Sequence, residues 1–328
     1  MALVSYRDAV RTALREEMIR DPRVILMGES ITGYGGSYAV TKGLVEEFGP
    51  KRVMETPIAE AGIVGFAVGA AMGGLRPVAE LMTVNFALLA MDQIVNSAAK
   101  FHFMFGGQWS VPLVVRTVSG FGQLGPTHSQ TFEGWFASVP GLKVVMPATP
   151  EDARGLLLAA IRDPDPVIFI EHSLLYSTKG EIAGSGDGED AAEIPIGSAK
   201  VVRPGEDVTV VGYSRMLLQA LQAAEVLERD DGVSCEVIDL RSLRPVDYPT
   251  VVDSVRRTHQ LVLCGEDWRT GGFGANLLAE VQDRCFDDLD GPIQRVAMDD
   301  VPMAYSRQLE RSLVPTSDQV VAAVRRLN

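Results

Sequence analysis

The stretch Glu55–Gly65, with the sequence ETPIAEAGIVG, places Glu60 at the start of a segment made mostly of small residues. From Ile58 to Met72 the sequence is rich in Gly and Ala, which predicts a helix that other backbones or a flat ligand can approach closely. A carboxylate at the mouth of such a helix has few polar neighbours in the sequence. Glu60 is therefore the first candidate functional residue.

Two interpretations of Glu60 are open from this segment alone. In the first, the side chain is poorly solvated; since burial raises the pKa of a carboxyl group, a Glu in this setting exchanges a proton near neutral pH, as a general acid or base must. In the second, the side chain is exposed at a helix start and is stabilised by the helix dipole.

Length and charge narrow the possible functions. A chain of 328 residues is long for one hydrophobic core, so we expect two domains. The net charge of −13 argues against sequence-independent binding to nucleic acid or to anionic membranes. No apolar run approaches the roughly 20 residues that span a bilayer, and the N-terminus lacks a targeting pattern. We expect no membrane association.

Apolar runs alternate with helical patterns along the chain, which predicts α/β domains with parallel, doubly wound sheets. Residues Gly184–Asp190 are too polar and flexible to pack and indicate a linker. We therefore expect a first domain at 1–176, a linker at 177–195 and a second domain at 196–328. The predicted strands are Val24–Met27, Pro77–Met82, Val111–Val118, Leu142–Met146, Val167–Ile170, Val208–Gly212, Cys235–Leu240 and Leu261–Cys264.

Three cysteines, Cys235, Cys264 and Cys285, are widely spaced and do not form a metal-binding pattern. They are typical of core thiols in a reducing compartment, so we expect a cytoplasmic protein. Gly186-Asp187-Gly188 resembles the start of a magnesium and diphosphate motif. No Asn follows it before Asn276, and no apolar strand precedes it, so we assign it to the linker.

The segment around His128 invites two functional hypotheses. His128 follows a predicted strand, at the position where α/β sheets bind ligands, and imidazole transfers protons near pH 7; a histidine that caps a helix is the alternative. Gly120–Gly125 matches the G-x-G-x-x-G pattern, so a nicotinamide site is also considered. The context is wrong for that site, because no acid ends the next predicted strand. A flexible active-site loop is favoured over it.

Several motifs in order resemble the beta subunit of the thiamine-diphosphate-dependent 2-oxoacid dehydrogenases, and the resemblance covers nearly the whole chain. The motifs are Thr56–Glu60, Gly69–Pro77, Asp92–Lys100, His128–Gln130, Pro140–Val145, Ala160–Asp163, Arg241–Pro245, Gly271–Gly274 and Val301–Tyr305. The resemblance implies a transketolase-like pyrimidine-binding domain followed by a transketolase C-terminal-type domain. It also implies a separate alpha subunit in an alpha2-beta2 heterotetramer.

The same resemblance implies roles for individual residues. Glu60 hydrogen-bonds the aminopyrimidine ring of thiamine diphosphate, while the alpha subunit holds magnesium and the diphosphate. Glu29, Met82 and Phe86 lie around that ring. His128 assists transfer of the acyl group to a lipoyl arm.

Two further sites are implied in the same way. A structural potassium ion is bound by the positions Leu113, Ala160, Ile161, Asp163 and Asp165, mostly through backbone carbonyls. Related chains often carry Asn at the last position, so Asp165 makes this site an open question. Asp299 and Asp300 approach the basic binding domain of the dihydrolipoyl acyltransferase core, or else belong to a solvated loop.

The implied activity is that of a pyruvate dehydrogenase-type enzyme, which decarboxylates a 2-oxoacid oxidatively and transfers the acyl group to lipoamide. Acetoin dehydrogenase and branched-chain 2-oxoacid dehydrogenase subunits share parts of the pattern. Two hypotheses from other classes stay open: a nicotinamide-dependent oxidoreductase using Gly120–Gly125, and a non-catalytic scaffold subunit.

Overall fold

The computed structural model describes residues 2–182 and 193–327. Most of the predicted linker, residues 183–192, lies outside the described residues, including Gly186–Gly188. By internal contacts the chain forms two units, Met1–Ser119 with Phe136–Ile196, and Gly120–Trp135 with Gly197–Asn328. The chain therefore enters the second unit twice.

The first unit contains eight strands among its described residues. They are β1 (Ala2–Ser5), β2 (Val24–Gly28), β3 (Val53–Glu55), β4 (Arg76–Glu80), β5 (Val114–Ser119), β6 (Lys143–Val145), β7 (Val167–His172) and β8 (Lys179–Ile182). The helices from this part of the chain are α1 (Tyr6–Arg20), α2 (Leu44–Phe48), α3 (Glu60–Met72), α4 (Ala99–Met104), α5 (Glu133–Ala137), which starts in the second unit, and α6 (Pro150–Arg162). Short 3₁₀ turns at Phe86–Ala90 and Ser173–Leu175 and a π-helix at Gln93–Ala98 complete it.

The main sheet of the first unit is parallel, with the order β6-β7-β5-β4-β2-β3. Strands β2, β5 and β7 are buried along their whole length, as expected for a parallel sheet covered by helices. Strands β1 and β8 form a separate antiparallel pair, so the predicted linker begins with a strand. Strand β3 lies on one side of β2, and the next strand in sequence, β4, lies on the other side. The strand order therefore switches between β2 and β4.

Helix boundaries follow local chemistry. Ser5 caps α1 by accepting the Asp8 N–H at 3.1 Å, and Thr149 caps α6 by accepting the Asp152 N–H at 3.1 Å. Pro150 occupies the first turn of α6, where a missing N–H does no harm. Both helix starts agree with the sequence pattern. The sequence pattern of Phe86–Phe101 predicts one helix, but the structure divides this stretch into the 3₁₀ turn, the π-helix and the start of α4.

The second unit is also an α/β structure. Its strands are β9 (Lys200–Arg203), β10 (Val208–Gly212), β11 (Cys235–Asp239), β12 (Ser242–Arg244), β13 (Leu261–Trp268) and β14 (Gln294–Met298). Its helices are α7 (Arg215–Asp231), α8 (Tyr248–Thr258), α9 (Phe273–Cys285), α10 (Arg307–Leu313) and α11 (Ser317–Val324). The sheet order is β14-β13-β10-β11-β9, parallel except for the edge strand β9.

Residues 120–135 belong to the second unit by packing, although they precede the predicted linker in sequence. Phe121 lies in an apolar cluster with Met298, Met303 and Val314. The Thr131 hydroxyl donates to the carbonyl of Glu266 at 3.0 Å. A division drawn along the sequence misses this segment, because polarity marks where a chain is loose and does not mark which core a loop packs against.

The expectation of core thiols is met. Cys235, Cys264 and Cys285 are buried free thiols. Within residues 2–182 and 193–327, no helix combines the length and apolarity that crossing a bilayer requires.

Candidate functional site

The carboxyl ends of β2, β3 and β4 bring together polar residues that the sequence scatters over 60 positions. Gly28 at the end of β2 lies opposite Glu55 of β3 and Glu80 of β4. Ligands of open α/β sheets bind beyond the carboxyl ends of the strands where the strand order switches, which here is between β2 and β4. We call the residues that follow these strand ends, Glu29, Thr56, Glu60, Met82, Thr83, Asn85 and Phe86, the strand-end cluster.

Glu29 follows β2 directly and is only 6 % exposed. Its Oε2 atom is buried and has no hydrogen-bond partner within residues 2–182 and 193–327. Burial raises the pKa of Glu29, and the negative charges of Glu60 and Glu55 raise it further. The carboxyl groups of Glu29 and Glu60 are therefore close enough to interact.

Glu55, at the end of β3, shows the opposite situation. Its carboxylate accepts hydrogen bonds from the backbone N–H groups of Ser30 and Thr32, at 2.5 and 3.0 Å, and from the Thr32 hydroxyl at 2.7 Å. Burial alone would raise the pKa of Glu55, but these hydrogen bonds outweigh it and lower the pKa. Glu55 thus fixes the loop that carries Glu29.

Glu60 is the first residue of α3 and is 6 % exposed. The capping residue, Ala59, offers no side chain to the free N–H groups of the first turn. An acid here is favoured by the positive end of the helix dipole. Glu60 lies at a helix start, as the second interpretation expects, but its side chain is buried rather than exposed, as the first expects.

Met82 and Phe86 follow β4, where the chain continues beside β5 through a hydrogen bond from Val84 N–H to Val118 O of 2.8 Å. Both side chains are partly buried. Between them, Thr83 Oγ1 and Asn85 Nδ2 are buried polar atoms without hydrogen-bond partners in the part of the chain that the structure describes, and so is Thr56 Oγ1. Buried polar atoms are normally paired, so such a group indicates a site for a polar ligand or ordered water.

One strand further into the sheet, a buried arginine compensates two acids. Arg116 of β5 forms ion pairs with Glu80 of β4 and Glu171 of β7, and its Nη2 donates to Glu171 Oε2 at 3.1 Å. All three residues are at most 8 % exposed. Burial raises the pKa of Glu80 although Arg116 opposes the shift. We call Glu80, Arg116 and Glu171 the arginine triad.

The five positions expected to bind potassium lie at the opposite ends of the strands of the same sheet, near the start of β5 and the end of α6. The carbonyls of Ile161 and Asp163 accept from Arg76 Nη1 at 2.7 and 3.2 Å. Lys143 Nζ contacts both Asp163 carboxylate oxygens at 2.7 Å and Asp165 at 3.2 Å. Among residues 2–182 and 193–327, no three His, Cys, Asp or Glu side chains form a metal-binding group.

His128 lies in the second unit and is partly buried. Its backbone N–H donates to Gly125 O at 3.3 Å, and its Nδ1 lies 3.1 Å from the Thr127 hydroxyl. Its loop does not lead directly into a helix, because the next helix after β5 starts at Glu133. The alternative of a helix-capping histidine therefore loses its support.

The second unit also contains a buried acid, Glu133, that was not predicted from the sequence. Glu133 is 1 % exposed, its Oε1 accepts from Tyr213 OH at 3.2 Å, and its Oε2 has no partner. Burial raises the pKa of Glu133 to about 8, and the charge of Asp267 adds to the shift. Asp267 itself binds Arg295 Nη2 at 2.5 Å and the Gly274 N–H at 2.8 Å.

Comparison with known proteins places this geometry in a family. The transketolase pyrimidine binding domain matches residues 2–179, and the transketolase C-terminal domain matches residues 197–320. Pyruvate dehydrogenase E1 component subunit beta-2, mitochondrial, of Oryza sativa subsp. japonica is 50 % identical over 324 residues, covering 98 % of this chain and 86 % of the relative. The pyruvate dehydrogenase E1 component subunit beta of Rickettsia bellii is 46 % identical, covering 99 % and 98 %.

The chain belongs to the pyruvate dehydrogenase E1 beta-subunit family. A solved structure described as a split gene transketolase, inactive beta4 tetramer, has a TM-score of 0.79 at 24 % identity and covers 99 % of this chain and 98 % of its own. That likeness concerns the fold. The family and the two-domain fold class expected from the motifs are thus confirmed.

Within the E1 beta framework, the structure brings Glu29, Glu60, Met82 and Phe86 to one sheet edge, while His128 belongs to the other unit. Thr56, Thr83 and Asn85 were missed as candidates, although Thr56 begins a motif already noted and the other two lie between Met82 and Phe86. Asp299 and Asp300 are exposed, and Asp300 accepts from the Thr270 N–H and hydroxyl at 2.9 and 2.6 Å.

Proposed function

We propose that the chain is the catalytic beta subunit of a thiamine-diphosphate-dependent pyruvate dehydrogenase, which works with a separate alpha subunit. The observation that carries the proposal is the strand-end cluster, with two buried acids, Glu29 and Glu60, on the switch point of the sheet. The relatives named above support pyruvate as the 2-oxoacid. Branched-chain 2-oxoacids and acetoin are the alternatives within the same chemistry.

The residues present fit an aminopyrimidine ring. Such a ring is flat, has an apolar face and carries nitrogen atoms along its edge. The cluster offers partly buried Met82 and Phe86 for the faces, and the carboxylate of Glu60 for the edge. The unpartnered atoms Glu29 Oε2 and Asn85 Nδ2 are further polar atoms that a ligand of this kind could satisfy.

Thiamine diphosphate, when bound, supplies the electron sink for decarboxylation, so the protein has to position and protonate it correctly. We assign Glu60 to hold a proton at a ring nitrogen, because its carboxyl group is buried and tied to the first turn of α3. Glu29 stands beside it with its pKa raised by burial and by the charge of Glu60.

An alpha subunit is supported by the apolar surface of the first unit. Large hydrophobic side chains are exposed there, Phe66 to 62 %, Phe103 to 87 % and Met104 to 64 %. Exposed apolar side chains in such number are typical of a protein interface. On α3, Gly69 is also exposed, and a Cβ atom there would meet nothing within 4 Å, so a partner backbone can approach closely. We assign magnesium and the diphosphate to the alpha subunit.

We assign His128 to acyl transfer to the lipoyl arm of a dihydrolipoyl acyltransferase. The exposed acids Asp299 and Asp300, in a chain with a net charge of −13, are compatible with a basic docking domain of that partner. A cytoplasmic location is in keeping with three buried free thiols.

For potassium we propose the carbonyl set at Leu113, Ala160, Ile161, Asp163 and Asp165. Arg76 and Lys143 already bring two positive charges to part of this set. A carbonyl oxygen has two lone pairs, so Ile161 and Asp163 can each accept one donor and still face a cation.

The nicotinamide hypothesis has little support from the geometry of Gly120–Gly125. In a dinucleotide site, the glycine-rich turn opens directly into a helix whose N–H groups face the pyrophosphate. Here the N–H groups of Gly122 and Gln123 face the carboxylate of Glu310, at 3.3 and 2.7 Å. An anion binding at that place would meet a negative charge.

The deciding experiment is coexpression with candidate alpha subunits, followed by an activity panel with thiamine diphosphate, magnesium and several 2-oxoacids. We expect decarboxylation of pyruvate only in the assembled enzyme. Tight binding of reduced nicotinamide by the isolated chain, without activity in any assembly, would contradict the proposal. Normal activity of an assembly containing Glu60→Gln would favour the scaffold hypothesis instead.

A further inference from the structure

The loop that carries His128 is held by a buried carboxylate from α10. Glu310 is 6 % exposed, while its neighbour Leu309 is 57 % exposed. The Glu310 Oε2 atom accepts the backbone N–H of Gln123 at 2.7 Å and that of Gly122 at 3.3 Å. Hydrogen bonds to an ionised acceptor are stronger than neutral ones, and this pair joins two segments 187 positions apart.

The backbone at this point needs external support. Gln123 has φ of 60°, in the left-handed region that residues other than Gly rarely adopt. Such a conformation persists when the surrounding structure holds it. Besides the Glu310 contact, the Gln123 side-chain oxygen accepts from Arg307 Nε and Nη2 at 3.0 and 2.7 Å. Helix α10 therefore holds Gln123 by both its backbone and its side chain.

The contacts continue toward His128. Gly125 has φ of 76°, and a Cβ atom placed there would lie 3.1 Å from Cδ2 of Tyr305, so the ring of Tyr305 covers this glycine. The Gly125 carbonyl then accepts the His128 N–H at 3.3 Å. On the N-terminal side of Gly122, Phe121 is anchored in the apolar cluster with Met298, Met303 and Val314.

We propose that Glu310 is a positioning residue for His128, which acts by fixing the backbone of Gly122 and Gln123. Arg307 and Tyr305 complete this clamp. The inference rests on the proposed function, since it assigns to the clamped loop the acyl-transfer role of His128. It adds a residue from the far C-terminal part of the chain to that reaction, without contact to substrate.

The first test does not depend on activity. Hydrogen exchange of the full-length chain is measured for peptides within 120–130 in the wild type, Glu310→Ala and Glu310→Gln. Glu280→Gln is the matched control, since Glu280 pairs with Arg284 in an exposed i,i+4 ion pair. We expect the Ala variant to exchange at least about 10-fold faster in this segment, the Gln variant to be intermediate, and the control to be unchanged. Unchanged exchange in the Ala variant would overturn the clamp.

The second test is a double-mutant cycle in the assembled enzyme, with the two half-reactions assayed separately. We expect Glu310→Ala to slow lipoyl acylation about 10-fold and to leave decarboxylation nearly unchanged. In a His128→Ala background the same change should have little further effect, because its route through His128 is gone. Equal losses in both half-reactions, or an undiminished loss without His128, would refute positioning. Failure of the wild-type assembly to decarboxylate any 2-oxoacid would reject the proposed function, and hydrogen exchange would still decide the clamp.

Discussion

The strand-end cluster and the arginine triad occupy neighbouring strands of one sheet, and both contain two buried acids. In the triad, Arg116 compensates Glu80 and Glu171 from within the protein. In the strand-end cluster, Glu29 keeps a buried oxygen without a partner among the described residues, and the charges of the acids Glu60 and Glu55 add to the effect of burial in raising its pKa. A compensated acid stabilises the fold, whereas an acid that lacks a partner is available to a ligand.

The largest effect that this comparison implies is on catalysis. We expect Glu60→Gln to lower turnover of the assembled enzyme about 100- to 10,000-fold, or about 3 to 5 kcal/mol in barrier, because the proton at the ring nitrogen is no longer held. Urea unfolding should change little, since no ion pair is lost. Steady-state decarboxylation measures the first quantity, with Glu47→Gln as a surface control. Turnover near that of the wild type would contradict the catalytic role that distinguishes the strand-end cluster from the arginine triad.

A substitution in the arginine triad should lower the stability of the fold, whereas Glu60→Gln should not. Arg116→Met leaves Glu80 and Glu171 buried without a cation, so we expect the free energy of unfolding to fall by about 3 to 5 kcal/mol. Arg15→Met is the matched control, because Arg15 pairs with Glu47 at 2.8 Å on the surface, and the loss there should be at most about 1 kcal/mol. Chemical denaturation of the two variants compares them. Equal losses in the two variants would show that the buried triad contributes no more to stability than a surface ion pair does.

Glu133 extends the comparison, because it is a buried acid whose Oε1 accepts from the Tyr213 hydroxyl and whose Oε2 has no partner among the described residues. Its pKa is raised from 4.5 to about 8 by burial and by Asp267, with a smaller contribution from Glu266. Between these values the native state keeps a proton that the unfolded chain releases. The free energy of unfolding should therefore fall as the pH rises from about 5 to about 8, by up to about 1.4 kcal/mol per pH unit from this group.

Denaturation of wild type and Glu133→Gln across this pH range isolates that contribution. The difference between the two curves should vary with pH below about 8 and level off above it. Arg295 binds Asp267 and limits how far the charge of Asp267 reaches Glu133. Parallel curves over the whole range would mean that Glu133 is ionised in the native state, as an acid with an adequate partner is.

The smallest effect concerns the opposite ends of the sheet's strands, where Arg76 and Lys143 satisfy oxygen atoms that potassium is proposed to share. We expect potassium to raise the free energy of unfolding by about 1.4 kcal/mol at roughly ten times its dissociation constant, relative to tetramethylammonium at equal ionic strength. Thermal melts of the wild type and of Asp165→Asn measure this. Identical melting temperatures in both salts would contradict the proposed potassium site.

Much of the fold follows from local sequence chemistry. Thr149 and Pro150 predict the start of α6, and the apolar run from Val208 predicts β10 residue for residue. The π-helix at Gln93–Ala98 was not predicted, because π-helices are rare and a helical apolar pattern is assigned to the far commoner α-helix. Boundaries of strands such as β4, which ends at Glu80 before Met82, depend on partner strands rather than on the run itself.

The site was partly predictable for the same reason. Glu60 was a candidate because of its residue type and its place before a helix of small residues, whereas Glu29, Met82 and Phe86 were candidates only through the family resemblance. Glu310 and Glu133 have no such signal. Their importance comes from burial and from contacts to residues that are distant in sequence, and an isolated Glu in an amphipathic helix resembles a surface residue.

The detour of residues 120–135 has a practical consequence for anyone dividing this protein. The polypeptide passes from one unit to the other after Ser119, after Trp135 and after Ile196, so no single cut yields two intact pieces. A fragment ending near residue 196 would carry Phe121 and Phe132 without the side chains that cover them, and would be prone to aggregate. Chimeras between related enzymes should exchange 120–135 together with the C-terminal half.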